Sequence, residues 1–137
     1  MVALGLVVAR FDKTGDVIPA MEENARDAAE SQDATIVETR YVPGSYDTPL
    51  AADRLARRDD IDAVVAIGAI ISGDTDHDQV IAQAAADGLT AVSLERDTPV
   101  TLGIIGPGMT VDEARERVDY SGVAVKSAIA LIEDNNS

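Results

Sequence analysis

The segment of this 137-residue chain best equipped for chemistry is Gly73-Asp74-Thr75-Asp76-His77, which ends on the only histidine. Glycine lets the backbone approach a ligand, and the free N–H groups of a helix start favour an anion. Thr75 adds a hydroxyl donor, and His77 can move a proton near neutral pH. The same residues also read as a plain helix start, with Thr75 or Asp76 as cap and His77 solvated. The pattern is not a Walker phosphate loop. Asp74, Asp76 and Asp78 suggest a divalent cation, but their spacing matches no metal-binding loop and suits solvation of a helix start.

Three further segments carry candidate groups. Val42-Pro43-Gly44-Ser45-Tyr46-Asp47-Thr48-Pro49 is a stiff turn that presents a ring, a carboxylate and a hydroxyl together. A ring can stack on a heterocycle and a carboxylate can accept hydrogen bonds from sugar-like hydroxyls. The plainer alternative is a strand-to-helix turn with Asp47 as N-cap. Phe11, the only phenylalanine, stands with Asp12 just after an apolar run, and its plainer reading is a core residue under a loop. Arg117 is four residues from Glu113, the spacing of a surface helix ion pair. In a chain of net charge −14, an anionic substrate still needs local positive charge, which arginine supplies as a fixed fork.

The elements that must hold these groups alternate. Leu4–Ala9 reads as a buried strand, and a helix from about Asp16 to Ser31 has Val17, Met21, Ala25 and Ala28 on one face. Ala34–Val42 reads as a second strand, followed by a helix with Pro49 in its first turn and an end near Arg58. Asp62–Ile71, apolar on both faces, predicts a central parallel strand. From Asp76 a helix should turn Val80, Ile81, Ala84 and Ala85 inward. Its end is open: Gly88 could stop it, leaving Leu89–Leu94 as a strand. Pro99–Ile104 reads as a strand ended by a Gly106-Pro107-Gly108 turn, Thr110 with Glu113 as a capping box, and Tyr120 to Glu133 as a last helix. The alternation predicts βαβ units and a parallel sheet covered by helices on both faces, with ligands outside the carboxyl ends of the strands.

Composition narrows the function classes. The length predicts one domain over residues 1–137. The absence of cysteine excludes disulfides and thiolate metal sites, and a single histidine excludes a multi-histidine metal centre. The acidic balance argues against nucleic acid or an anionic membrane as partner. No basic leader and no apolar run of about 20 residues is present, so a cytoplasmic protein is expected. Lys13 and Lys126 are the only lysines. An acid-rich, lysine-poor surface suits a protein kept hydrated in concentrated salt, and a halophilic source is expected.

Taken together, these segments resemble the lumazine synthase family. The likeness rests on Arg10-Phe11-Asp12, on Val42 to Ala51, and on Ile67 to His77. It continues through Pro99-Val100-Thr101-Leu102-Gly103 and Glu116-Arg117-Val118-Asp119-Tyr120. Gly106-Pro107-Gly108-Met109-Thr110 looks like the archaeal branch. The resemblance implies a three-layer α/β/α sandwich, flavodoxin-like, with a four-stranded parallel sheet and one helix running past Gly88 to about Glu95.

The resemblance also implies a transferase of riboflavin biosynthesis that needs neither cofactor nor metal. It would condense 5-amino-6-(D-ribitylamino)uracil with 3,4-dihydroxy-2-butanone 4-phosphate: an amine attacks the ketone, phosphate leaves, the ring closes and water is lost. Phe11 would stack on the pyrimidine, and Ser45, Tyr46 and Asp47 would hold the pyrimidine and ribityl chain. The Ile70–Ile71 backbone would meet the heterocycle edge. Gly73, Asp74 and Thr75 would cradle the phosphate, Arg117 from a neighbouring subunit would clamp it, and His77 would move protons. A homopentamer is implied, assembled in many members as twelve pentamers in a hollow shell, with riboflavin synthase as the downstream enzyme.

The chain departs from the family pattern in places. Tyr46 and Asp47 replace the commoner Phe and Glu, Asp12 the common Asn, and Ser72 a frequent Arg or Glu. Leu102 stands where many members place an aromatic from the adjacent subunit. Lys126 is out of register with a lysine common in the last helix. Three rivals remain at this stage: a riboflavin synthase of the archaeal type, a non-catalytic flavin- or nucleotide-binding module, and an inactive shell protein. The phosphate segment argues against the first, and Arg10-Phe11-Asp12-Lys13 offers the second no phosphate loop.

Overall fold

A computed structural model describes residues 1–72 and 77–136. The strands are β1 (Ala3–Ala9), β2 (Thr35–Val42), β3 (Ala63–Ile71) and β4 (Val100–Met109). The helices are α1 (Val17–Ser31), α2 (Thr48–Ala56), α3 (Asp78–Arg96), α4 (Val111–Glu116) and α5 (Tyr120–Asn136), with a 3₁₀ turn at Ser45–Asp47 before α2. The four strands form one parallel sheet in the order β2-β1-β3-β4.

Side-chain alternation on the two inner strands divides the core into two layers. Leu4, Leu6 and Val8 of β1 and Val65, Ile67 and Ile71 of β3 pack with Val17, Met21 and Ala25 of α1 and Val125 and Ile129 of α5. The opposite face of β1 and β3, with Val7, Val64, Ala66 and Ile70, packs with Leu55 of α2 and Ala85 and Leu89 of α3. Every residue of β3 is buried, as expected for a central strand covered on both faces. The arrangement is the expected three-layer α/β/α sandwich. Its chain order places the topological switch between β1 and β3, where parallel sheets open a crevice at their carboxyl edge.

Helix α3 is continuous from Asp78 to Arg96, so Leu89–Leu94 is helical. Gly88 lies inside it because a Cβ there would come within 2.7 Å of the Pro49 ring. The small residue lets α2 and α3 approach, at a propensity cost of about 1 kcal/mol.

Two expectations are corrected. Val80 points outward, 63% exposed, while Ala85, Leu89 and Val92 form the buried stripe of α3. Ile81 is half-buried. The inward stripe passes through residues 81, 85, 89 and 92 at helical spacing, which leaves Val80 about 100° round the helix from Ile81.

Gly106-Pro107-Gly108 does not end β4. Ala69 pairs with Ile105 and Ile71 with Met109, so β4 takes up its extra residues as a bulge and resumes pairing. Gly106 and Gly108 have φ of 90° and 80°, a region glycine enters without strain, so the dipeptide pattern of a turn is used inside a strand. The Thr110–Glu113 capping box is present: the Glu113 amide donates to the Thr110 hydroxyl at 3.1 Å and the Thr110 amide to the Glu113 carboxylate at 3.0 Å.

Candidate active site

At the carboxyl edge of the sheet lies a cavity of about 330 Å³ lined by Phe11, Gly44, Ser45, Tyr46, Ala69, Ile70, Asp78 and Ile81. These residues come from the ends of β1, β2 and β3 and from the first turn of α3. The β1–β2 ladder continues past both strands, with the Arg10 amide donating to the Val42 carbonyl at 2.8 Å and the Phe11 amide to the Pro43 carbonyl at 2.9 Å. That extension ties the Phe11 loop to the loop carrying Tyr46. Phe11 is 55% exposed and Tyr46 64%, so both rings are available to a ligand. The core reading of Phe11 is thereby set aside.

The loop from Gly44 to Thr48 is fixed from below. Gly68 of β3 leaves room for Ser45, whose buried hydroxyl would stand 2.7 Å from a Cβ at that position. The hydroxyl of buried Thr48 donates to the Ser45 carbonyl at 2.8 Å. Asp47 precedes α2, but its carboxylate turns back to accept from the Gly44 amide at 3.0 Å instead of capping α2. It does not line the cavity. Ile70 does, whereas the Ile71 side chain belongs to the core on the other face of the sheet.

Asp12 closes the Phe11 loop onto α1. Its carboxylate accepts from the Thr14 hydroxyl, from the Thr14 amide at 3.0 Å and from the Ile18 amide at 2.8 Å. Burial opposes its charge, but these bonds and that from the Gly15 amide outweigh burial and hold the carboxyl below the usual aspartate range. Asp12 is therefore engaged in shaping the loop.

Among the sequence-predicted residues, Gly73, Asp74 and Thr75 lie outside the described residues, as does Asp76. His77 is exposed at the N-cap of α3, next to Asp78. Arg117 is elsewhere: with Glu116, Asp119, Tyr120 and Ile104–Gly106 it lines a separate depression beside β4. There its guanidinium pairs with Glu113 at 3.3 Å, the i,i+4 bridge expected from spacing. Leu102 is exposed on β4, an edge strand, and does not line the cavity. Lys126 lines a depression between α1 and α5 with Asn24 and Asp27. The chain thus gathers Phe11, Ser45, Tyr46 and Ile70 around one cavity, and leaves Leu102 and Arg117 on the β4 side.

Sequence reasoning gave no role to Ala69, Ile81 or Asp78 in this cavity. Ile81 is three residues beyond Asp78 and shares its helix face, a relation visible once the helix start is known. Among the described residues no cluster of three or more His, Asp or Glu is placed to hold a metal ion, and no helix is long and apolar enough to cross a membrane.

A parallel α/β sandwich with an aromatic-rimmed cavity at its switch point defines a small-molecule-binding protein of the flavodoxin-like layout. Comparison with known proteins makes the assignment specific. Residues 1–136 match the model of the 6,7-dimethyl-8-ribityllumazine synthase family, and the chain belongs to that family. It is 62% identical to a 6,7-dimethyl-8-ribityllumazine synthase of Halobacterium salinarum, over 98% of this chain and 99% of that one. It is 61% identical to one of Halorubrum lacusprofundi, over 98% of each chain. A relative of the same name from Methanosarcina barkeri is 53% identical over 96% of each.

Proposed function

We propose that the chain is a 6,7-dimethyl-8-ribityllumazine synthase of riboflavin biosynthesis, a single catalytic domain that condenses 5-amino-6-(D-ribitylamino)uracil with 3,4-dihydroxy-2-butanone 4-phosphate. What carries this reading is the convergence of Phe11, Ser45, Tyr46 and Ile70 on one cavity, in a chain that matches the family from end to end. The pyrimidine ring lies against Phe11 and Tyr46. The Ile70–Ile71 backbone meets its edge, and Ser45 and Asp47 serve the ring and its ribityl chain. Gly73, Asp74 and Thr75 hold the phosphate.

In the reaction the primary amine forms a C–N bond to the ketone carbon with loss of water. Elimination of inorganic phosphate and closure onto the second nitrogen, with loss of a second water, complete the ring. Each step needs proton transfer and orientation, and the proton relay is assigned to His77 as the chain's one imidazole. No cofactor or metal is required in this scheme.

The position of Arg117 supports a site shared between neighbours. On this reading copies form a ring, with Arg117 clamping the phosphate and Leu102 covering the pyrimidine of the adjacent copy's cavity. The ring is a homopentamer, and light scattering separates it from an icosahedral shell. The protein acts in the cytoplasm and passes its product to riboflavin synthase.

The test is an absorbance assay at high salt with both precursors, and in parallel with lumazine alone. Growth of lumazine absorbance with the precursor pair is expected. Conversion of lumazine alone, or no reaction with the pair, would overturn the reading.

A further inference from the structure

We propose that Asp78 is a further substrate-binding residue, its carboxylate accepting a hydrogen bond from an amine or hydroxyl of the bound diaminopyrimidine; this deepens the reading of the cavity given above. Among the described residues, Asp78 is the only charged one lining that cavity. Its Oδ1 is buried and has no hydrogen-bond partner among the described residues. Buried polar atoms are nearly always paired, so a carboxylate left with an unpaired oxygen at a cavity wall is one that can turn to a ligand donor and complete its bonding. Asp78 and Ile81, one helix turn apart on α3, both line this space, so this face of the helix forms one wall of the cavity.

The chemistry of the group selects its partner. An ionised carboxylate only accepts, so it pairs with an N–H or O–H and not with a phosphate or a carbonyl oxygen. Of the two substrates, the pyrimidine offers amine and ribityl donors together with a ring that suits the neighbouring Phe11 and Tyr46. The butanone phosphate would bring an anion towards a carboxylate. Asp78 therefore adds a polar point of recognition to a wall otherwise dominated by Phe11, Ile70 and Ile81.

The experiment compares full-length wild type, Asp78→Asn and Asp78→Ala by calorimetric titration with 5-amino-6-(D-ribitylamino)uracil, with turnover and thermal melts on the same preparations. Removing an unpaired buried acceptor should leave the melting temperature unchanged or raised. Pyrimidine Kd should weaken roughly tenfold in Asp78→Ala, and less in Asp78→Asn, while KM for the butanone phosphate stays within about twofold. Unchanged pyrimidine Kd in both variants, with wild-type turnover intact, would overturn the role of Asp78 alone. Parallel loss for both substrates would also overturn it, in favour of a structural role. A wild type that neither binds the pyrimidine nor turns over would remove the functional reading and this proposal with it.

Discussion

A methyl group at Gly68 would lie 2.7 Å from the Ser45 hydroxyl, so the central strand and the Tyr46 loop fit together only because residue 68 has no side chain. Gly68→Ala also approaches the Ala9 side chain at 3.1 Å, so two neighbours must yield. The expected loss is about 1–3 kcal/mol in urea unfolding, from overpacking. Displacement of the Tyr46 loop should also raise KM for the pyrimidine. Wild-type stability and KM together would show that the loop is not seated on Gly68.

Phe11 should separate binding from folding. The ring is more than half exposed, so Phe11→Ala should change stability by no more than about 0.5 kcal/mol. Loss of stacking should weaken pyrimidine binding by up to about tenfold, as the worth of an aromatic contact implies. A large drop in melting temperature with unchanged affinity would return Phe11 to a core role.

Much of the fold was legible because burial leaves a signature in residue type. Ala63–Ile71 is apolar at every position and became the central strand, while Val17, Met21 and Ala25 mark the inner face of α1. What residue type alone left open or misjudged depended on contacts between distant residues. The continuity of α3 through Gly88 is decided by Pro49, and the passage of β4 through Gly106-Pro107-Gly108 by pairing with β3. Phe11 and Tyr46 were visible as candidates because aromatic residues are rare here. The place of Asp78 in the cavity wall was not, since it depends on where α3 starts.

Asp12 gives a pH dependence whose sign is fixed. Its pKa is lowered in the folded chain, so between the folded value and the ordinary 3.8 the unfolded chain binds more protons. Its stabilising contribution is full above that ordinary value and is lost as pH falls through the folded one. Asp12→Asn should therefore flatten the acid limb of the stability curve in that window. Identical acid limbs for the two proteins, by thermal melts from pH 5 downward, would contradict the loop-closing role.

Net charge should make folding salt-dependent. With charge −14, mutual repulsion of acids opposes compaction, and molar salt reduces the Debye length to roughly 3 Å. The melting temperature should rise by at least about 5 °C between low and molar salt, on the usual scale for a domain of this size. The identity to Halobacterium and Halorubrum relatives agrees with such an environment. Equal melting temperatures would contradict the adaptation.

The most direct measurement mixes two inactive variants. On the roles proposed above, His77→Ala would disable proton relay in a chain's own site, and Arg117→Ala would remove the clamp offered to the neighbour's. Each variant alone should be nearly inactive in lumazine formation. After subunits are mixed at random at equal amounts, about a quarter of the sites combine an intact His77 with an intact Arg117 from the next copy, as a head-to-tail ring requires. Recovery of about a quarter of wild-type turnover is the expected result. A mixture no more active than its separate components would contradict the shared site.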